Sequence, residues 1–127
     1  MTVPFNTAPS RDGKTVLALL EGVAVYRQRI ALPPDAVLIV TIQDVSLADA
    51  PAATIAQARI PTRGRQVPLP YAVEYDPSRI VAGRRYTVRG RIEDGGGRLL
   101  WTTDTAIPLP DPGDRADLPL VQVRGQS

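Results

Sequence analysis

Arg85-Tyr86-Thr87-Val88-Arg89-Gly90-Arg91-Ile92, followed at once by Glu93-Asp94-Gly95-Gly96-Gly97-Arg98, is the passage on which the fold turns. Tyr86, Val88 and Ile92 share one parity, with Gly90 between them, while Arg85, Thr87, Arg89 and Arg91 share the other. A period of two marks a strand with one face inward and one in water. The glycine-rich run after it is a hairpin loop, and Arg98 to Ile107 returns as the antiparallel partner. A hairpin with an apolar face needs a second layer to cover it.

The chain on either side supplies that layer. Ala36 to Val45 is apolar on both parities until Thr41 and Gln43, the pattern of a central strand. Before it, Thr15 to Ile30 is a long run in which Leu17, Leu20 and Ala24 have helical spacing. Val23, Val25 and Gly22 favour a strand there, with Gly22 marking a bulge or bend. Leu32-Pro33-Pro34-Asp35 ends that run. Ala52 to Ile60 has alanines that suit a helix, but Thr54, Ile55 and Ile60 allow a strand, and it is read as one. Gln66 to Tyr75 alternates Val67, Leu69, Tyr71, Val73 and Tyr75 on one face, and Pro68 and Pro70 on the other place it at a sheet edge. Asp76-Pro77-Ser78-Arg79 has the cap and first-position proline of one helical turn. After Pro108 the composition shifts to Pro, Asp and Gly, and Leu118 to Val123 offers a last strand.

The predicted fold is therefore all-β: an antiparallel β-sandwich of about seven short strands with one short helical turn near residues 76–80. Residues 15–123 form the single domain, 1–14 a flexible N-terminal arm and 124–127 a frayed tail. The 127 residues suit one domain, and 43% hydrophobic and 22% charged residues are ordinary for a folded globule.

Composition narrows the chemistry. With no cysteine there is no disulfide, thiol nucleophile or thiolate metal site. With no histidine, no Ser-His-Asp arrangement can be built and the commonest metal ligand is missing. Lys14 is the single lysine and stands in a polar N-terminal stretch. No enzyme and no cofactor are expected. Asp111, Asp114 and Asp117 beside Gly113 lack the spacing and closing glutamate of a calcium loop, and no metal site is expected.

Several residues carry a functional and a structural reading side by side. Arg85, Arg89 and Arg91 form an anion-binding strip or a solvated outer face laced with cross-strand ion pairs. The strip holds no aromatic ring for base stacking, so nucleic acid is not an expected partner. Trp101 is a candidate binding residue, although Leu99 and Ile107 share its parity and suit a core position. Asp44, Ser46, Asp76 and Asp104 are candidate structural polar residues, whose carboxylates and hydroxyl pin strand ends and loops. An acid/base pair of Asp44 and Asp104 would need a raised pKa and suitable separation; hydrogen bonding to nearby backbone is the expected role. Gly95-Gly96-Gly97 lacks the Lys-Ser/Thr sequel of a phosphate loop.

Tyr26-Arg27-Gln28-Arg29-Ile30-Ala31-Leu32-Pro33-Pro34-Asp35-Ala36 runs into Thr41-Ile42-Gln43-Asp44-Val45-Ser46. Later come Tyr75-Asp76-Pro77, Tyr86-Thr87-Val88-Arg89 and Gly97-Arg98-Leu99-Leu100-Trp101-Thr102-Thr103-Asp104-Thr105. Over about residues 20–107 these blocks resemble the YbaY family of bacterial lipoproteins, grouped with the YscW-type lipoprotein chaperones of type III secretion. The resemblance implies a small β-sandwich, a lipid anchor at the outer membrane facing the periplasm, and, in the secretion members, the piloting of a secretin. This chain has no lipobox cysteine, and Met1 to Pro9 has neither a basic nor an apolar signal region. It is expected either in the cytoplasm or as a chain starting after a removed signal, with membrane contact only through an anchor it does not carry. A non-catalytic monomer binding an envelope or secretion protein, in a chaperone, pilot or envelope-maintenance role, is the expected function. The alternative is a small-ligand or glycan-binding sandwich using Trp101, Tyr71, Tyr75 and Tyr86.

Overall fold

The computed structural model describes residues 16–47 and 49–123. The arm expected at 1–14 and the tail at 124–127 lie outside the described residues. Strands β1 (Ala18–Val25), β2 (Val37–Asp44), β3 (Ala53–Pro61) and β4 (Leu69–Tyr75) precede a 3-10 turn at Pro77–Arg79. Strands β5 (Tyr86–Glu93), β6 (Leu99–Thr102), β7 (Ile107–Pro108), β8 (Leu118–Pro119) and β9 (Val121–Gln122) follow it. They form two sheets: a small one in the order β4-β1-β8, and a large one in the order β3-β2-β5-β6-β9, with β7 also pairing β5.

The two sheets face each other across one apolar core. Leu20 and Ala24 of β1 and Leu69, Tyr71, Val73 and Tyr75 of β4 come from the small sheet. Leu38, Val40, Ile42, Val88, Ile92 and Trp101 meet them from the large sheet. Alternation was legible because only one face of β4 and β5 is covered. β2 has β3 and β5 on its two sides, and both its faces are covered, Leu38, Val40 and Ile42 in the core and Ile39 buried on the outer face, which accounts for its continuous apolar run.

Four details differ from the sequence reading, each for a physical reason. The Gly22 position is not a bulge: β1 pairs β4 in unbroken register, Gly22 opposite Tyr71. The glycine makes room for the Ala116 backbone, whose carbonyl a Cβ at this position would overlap. The partner of β5 is not one strand but two, β6 and β7. Between them Thr103 remains tied to β5, its N–H donating to the Gly90 carbonyl at 3.0 Å.

The segment 118–123 is likewise split. β8 lies parallel to β1 and β9 antiparallel to β6, so the segment crosses from the small sheet to the large one. The β1–β8 pair is thus a parallel element in an otherwise antiparallel sandwich. The crossing is held by Leu120 N–H on the Val25 carbonyl at 2.8 Å and Val123 N–H on the Leu100 carbonyl at 2.9 Å. Its anchors, Ala116, Leu118 and Leu120, are buried. These side chains fill the open side of the core. Gly90 on β5 leaves them space: a Cβ there would stand 2.9 Å from Leu118 Cδ1.

Candidate functional site

A cleft of about 520 Å³ opens at one end of the sandwich, where β4 and β5 and the segments around them converge. Its apolar lining comes from Tyr75, Ile80, Tyr86, Pro108, Leu109 and Pro110, and Arg84 and Arg85 also line it. Three local structures set its shape. Asp76 caps the 3-10 turn, accepting from Ser78 N at 2.9 Å and Ser78 Oγ at 2.7 Å. Tyr86 Oη accepts from Val81 N at 2.8 Å and donates to the Arg79 carbonyl at 3.3 Å, folding the 79–85 loop against β5. Leu109 N donates to the Tyr86 carbonyl at 3.1 Å, extending the β5–β7 pairing along the opposite wall. Aromatic and aliphatic walls with a few polar groups are the usual make-up of a recognition cleft.

Asp44 and Ser46 brace the same end of the large sheet. Asp44 Oδ1 accepts from Ser46 N at 2.9 Å, and Ser46 Oγ accepts from Arg85 N at 2.8 Å. Asp44 Oδ2 takes the Arg84 guanidinium at 2.8 Å. The Ser46 hydroxyl and N–H, and then Arg84, hold the Asp44 carboxyl down at about 2. The Asp76 carboxyl is lowered by its bonds to Ser78, the same cause on a smaller scale. Asp104 is exposed in the 103–106 connection between β6 and β7. Asp44 ends β2.

The arginine strip is divided. Arg85 lines the cleft, whereas Arg89 and Arg91 lie along the outward face of β5. Arg91 reaches Glu93 of its own strand at 3.7 Å; Arg89 forms no ion pair among the described residues. Trp101 is turned inward, 3% exposed, and its ring stacks on Tyr26 with centroids 3.6 Å apart and 8° between planes. Its edge contributes to a smaller hollow of about 220 Å³ with Ile30, Pro33, Leu99 and Val123. Among the other rings, Tyr71 and Tyr75 are buried and Tyr86 is half-buried. Burial raises the Tyr71 hydroxyl to about 12, with nearby Asp117 adding to the effect. Tyr71 donates to the Ala116 carbonyl.

The cleft as a whole was not legible in sequence, because its walls come from residues 75–87 and 106–112. The clustered prolines 108, 110 and 112 were the signal that could have pointed to it. Among the described residues no group of acidic side chains is placed to hold a metal ion, and no helix is long and apolar enough to cross a membrane.

Comparison with known proteins places this fold in a secretion-system lipoprotein chaperone family, a non-catalytic class. The family model described as type III secretion system lipoprotein chaperone (YscW) matches residues 16–120, and the chain belongs to that family. It is 39% identical over 106 residues to the uncharacterized lipoprotein YbaY of Escherichia coli K12. That match covers 83% of this chain and 55% of YbaY, so the chain spans about half the length of that curated relative. It is also similar to an alternative pilotin from the type II secretion system of Vibrio cholerae, 42% identical with a TM-score of 0.80. The structural match covers 87% of this chain and all of the pilotin chain (100%).

Proposed function

We propose that the protein is an envelope-associated, non-catalytic module that binds another protein, with the cleft at residues 75–87 and 106–112 as its docking site. The single observation behind this is the cleft itself, open at the sheet ends and walled by rings, prolines and aliphatic side chains. Such walls hold apolar anchors of a partner segment, while flanking arginines orient its polar groups. The likeness to a secretion-system pilotin supports a chaperone or pilot role, with a secretion or envelope protein as the partner. Membership of a lipoprotein family supports association with the envelope. The glycan or small-ligand alternative is weakened by the burial of Trp101, Tyr71 and Tyr75, three of its four candidate rings.

Crosslinking in the native envelope fraction tests the reading. The wild-type chain should capture a specific protein, and Ala106→Trp, which fills the mouth of the cleft from an exposed position, should lose it without a change in melting temperature. Equal capture by both chains, or none by either, would remove the cleft as a docking site.

A further inference from the structure

The outer face of the large sheet carries a charge pattern unrelated to the cleft. Pairing across β3, β2 and β5 places Arg59, Ile39 and Arg91 in one row and Gln57, Thr41 and Arg89 in the next. Rows of Pro61, Val37 and Glu93, and of Thr54, Gln43 and Thr87, flank them. Ile39 is fully buried (0% exposed) yet belongs to no part of the core between the sheets. Arg59 and Arg91 flank it in the same row, and long arginine stems can lie over an apolar neighbour while the guanidinium stays in water. Gln57 Nε2 donates to Thr41 Oγ1 at 3.1 Å, closing the second row in the same way.

These rows hold Arg59, Arg89 and Arg91 against one carboxylate, Glu93. Arg59 and Arg89 have no ion-pair partner among the described residues. The opposite outer face, on the small sheet, differs. There Glu74 stands across from Leu19, and Glu21 from Ala72, with Val23 opposite Pro70. The sandwich is therefore polarised through its thickness, basic on one outer face and acidic and apolar on the other.

We propose that the Arg59–Arg89–Arg91 face docks against the headgroups of an anionic phospholipid bilayer. Charge complementarity selects an anionic occupant, and the spread of the cations from β3 across β2 to β5 suits an extended surface over a single pocket. Protein hot spots need an apolar or aromatic anchor entering a pocket, and this face has neither, its one large aliphatic side chain being covered. Headgroup attraction needs only closely spaced cations within a Debye length of the surface. For a lipoprotein family, such a face would fix the orientation of the domain, leaving Glu21 and Glu74 turned away from the bilayer.

Co-sedimentation of the full chain with vesicles of equal parts phosphatidylglycerol and phosphatidylethanolamine, at low salt, is the test. Binding is expected there and not to pure phosphatidylcholine. Arg59→Gln with Arg89→Gln should weaken it about 25-fold, roughly five-fold per arginine. Arg59→Lys with Arg89→Lys should bind as the wild type, keeping the assay informative if the glutamine pair fails to fold. Arg27→Gln with Arg29→Gln, on the loop after β1, should leave binding nearly unchanged, as should Ala106→Trp. No binding to the anionic vesicles, an equal loss in the loop variant, or a loss in the lysine pair overturns the proposal. So does equally tight binding to soluble polyglutamate, which would assign the face to an acidic protein.

Discussion

Gly22 lies directly under the Ala116 carbonyl, and a Cβ on Gly22 would overlap that oxygen and stand 2.9 Å from the Tyr71 hydroxyl. The same carbonyl accepts from Tyr71 Oη, and Ala116 N donates to the Glu21 carbonyl at 3.0 Å. Three segments far apart in sequence meet on one glycine, and the return of the chain across the small sheet depends on it. Gly22→Ala is expected to destabilise the protein by about 3 kcal/mol, as overpacking against an unyielding backbone does. Urea denaturation followed by circular dichroism checks this; a loss below about 1 kcal/mol would show that the 115–117 backbone yields easily.

Trp101 on Tyr26 is the second such contact, joining β6 to the end of β1. Trp101→Ala should cost about 3–5 kcal/mol through lost burial and the cavity it leaves. Because Trp101 is the single tryptophan, its emission reports the core directly. It should be blue-shifted in the native chain and move to the red on unfolding, together with the circular-dichroism transition.

Asp44 sets the acid response. Its folded pKa, held at about 2, lies below the ordinary aspartate value of 3.8. A depressed folded value contributes stability that is present above the unfolded pKa and disappears as pH falls through the folded one. The melting temperature should therefore drop between about pH 4 and pH 2, with the lowered Asp76 carboxyl contributing in the same direction. Asp44→Asn should melt lower at neutral pH and show a shallower acid slope. An unchanged slope in that variant would place the acid sensitivity elsewhere.

Tyr86→Phe removes the hydroxyl that joins Val81 N to the Arg79 carbonyl. The loss of stability should be modest, about 1 kcal/mol. Its local effect should be larger: amide exchange at Val81 should accelerate well beyond that of the β2 amides, and partner capture should weaken. Exchange unchanged at Val81 would mean that the 3-10 turn alone holds the cleft wall.

Much of the architecture was readable from residues. β5 alternates because one side meets core and the other water, and β2 does not because Ile39 and Thr41 on its outer face are buried as well. The proline pair at 68 and 70 marked β4 as an edge, and Asp76-Pro77 marked the turn beyond it. The cleft was harder to see. Tyr75, Tyr86 and Leu109 belong to three separate stretches, and each alone reads as an ordinary apolar residue.

The sequence by itself determined an all-β sandwich without histidine or cysteine chemistry, since period-two patterning and composition are local properties of the chain. Only the tertiary structure decided that Gly22 receives a crossing backbone, that residues 118–122 join both sheets, and that Arg59 from a distant strand completes the basic face. Those outcomes depend on which strands become neighbours, and pairing is a long-range choice that no window of residues encodes.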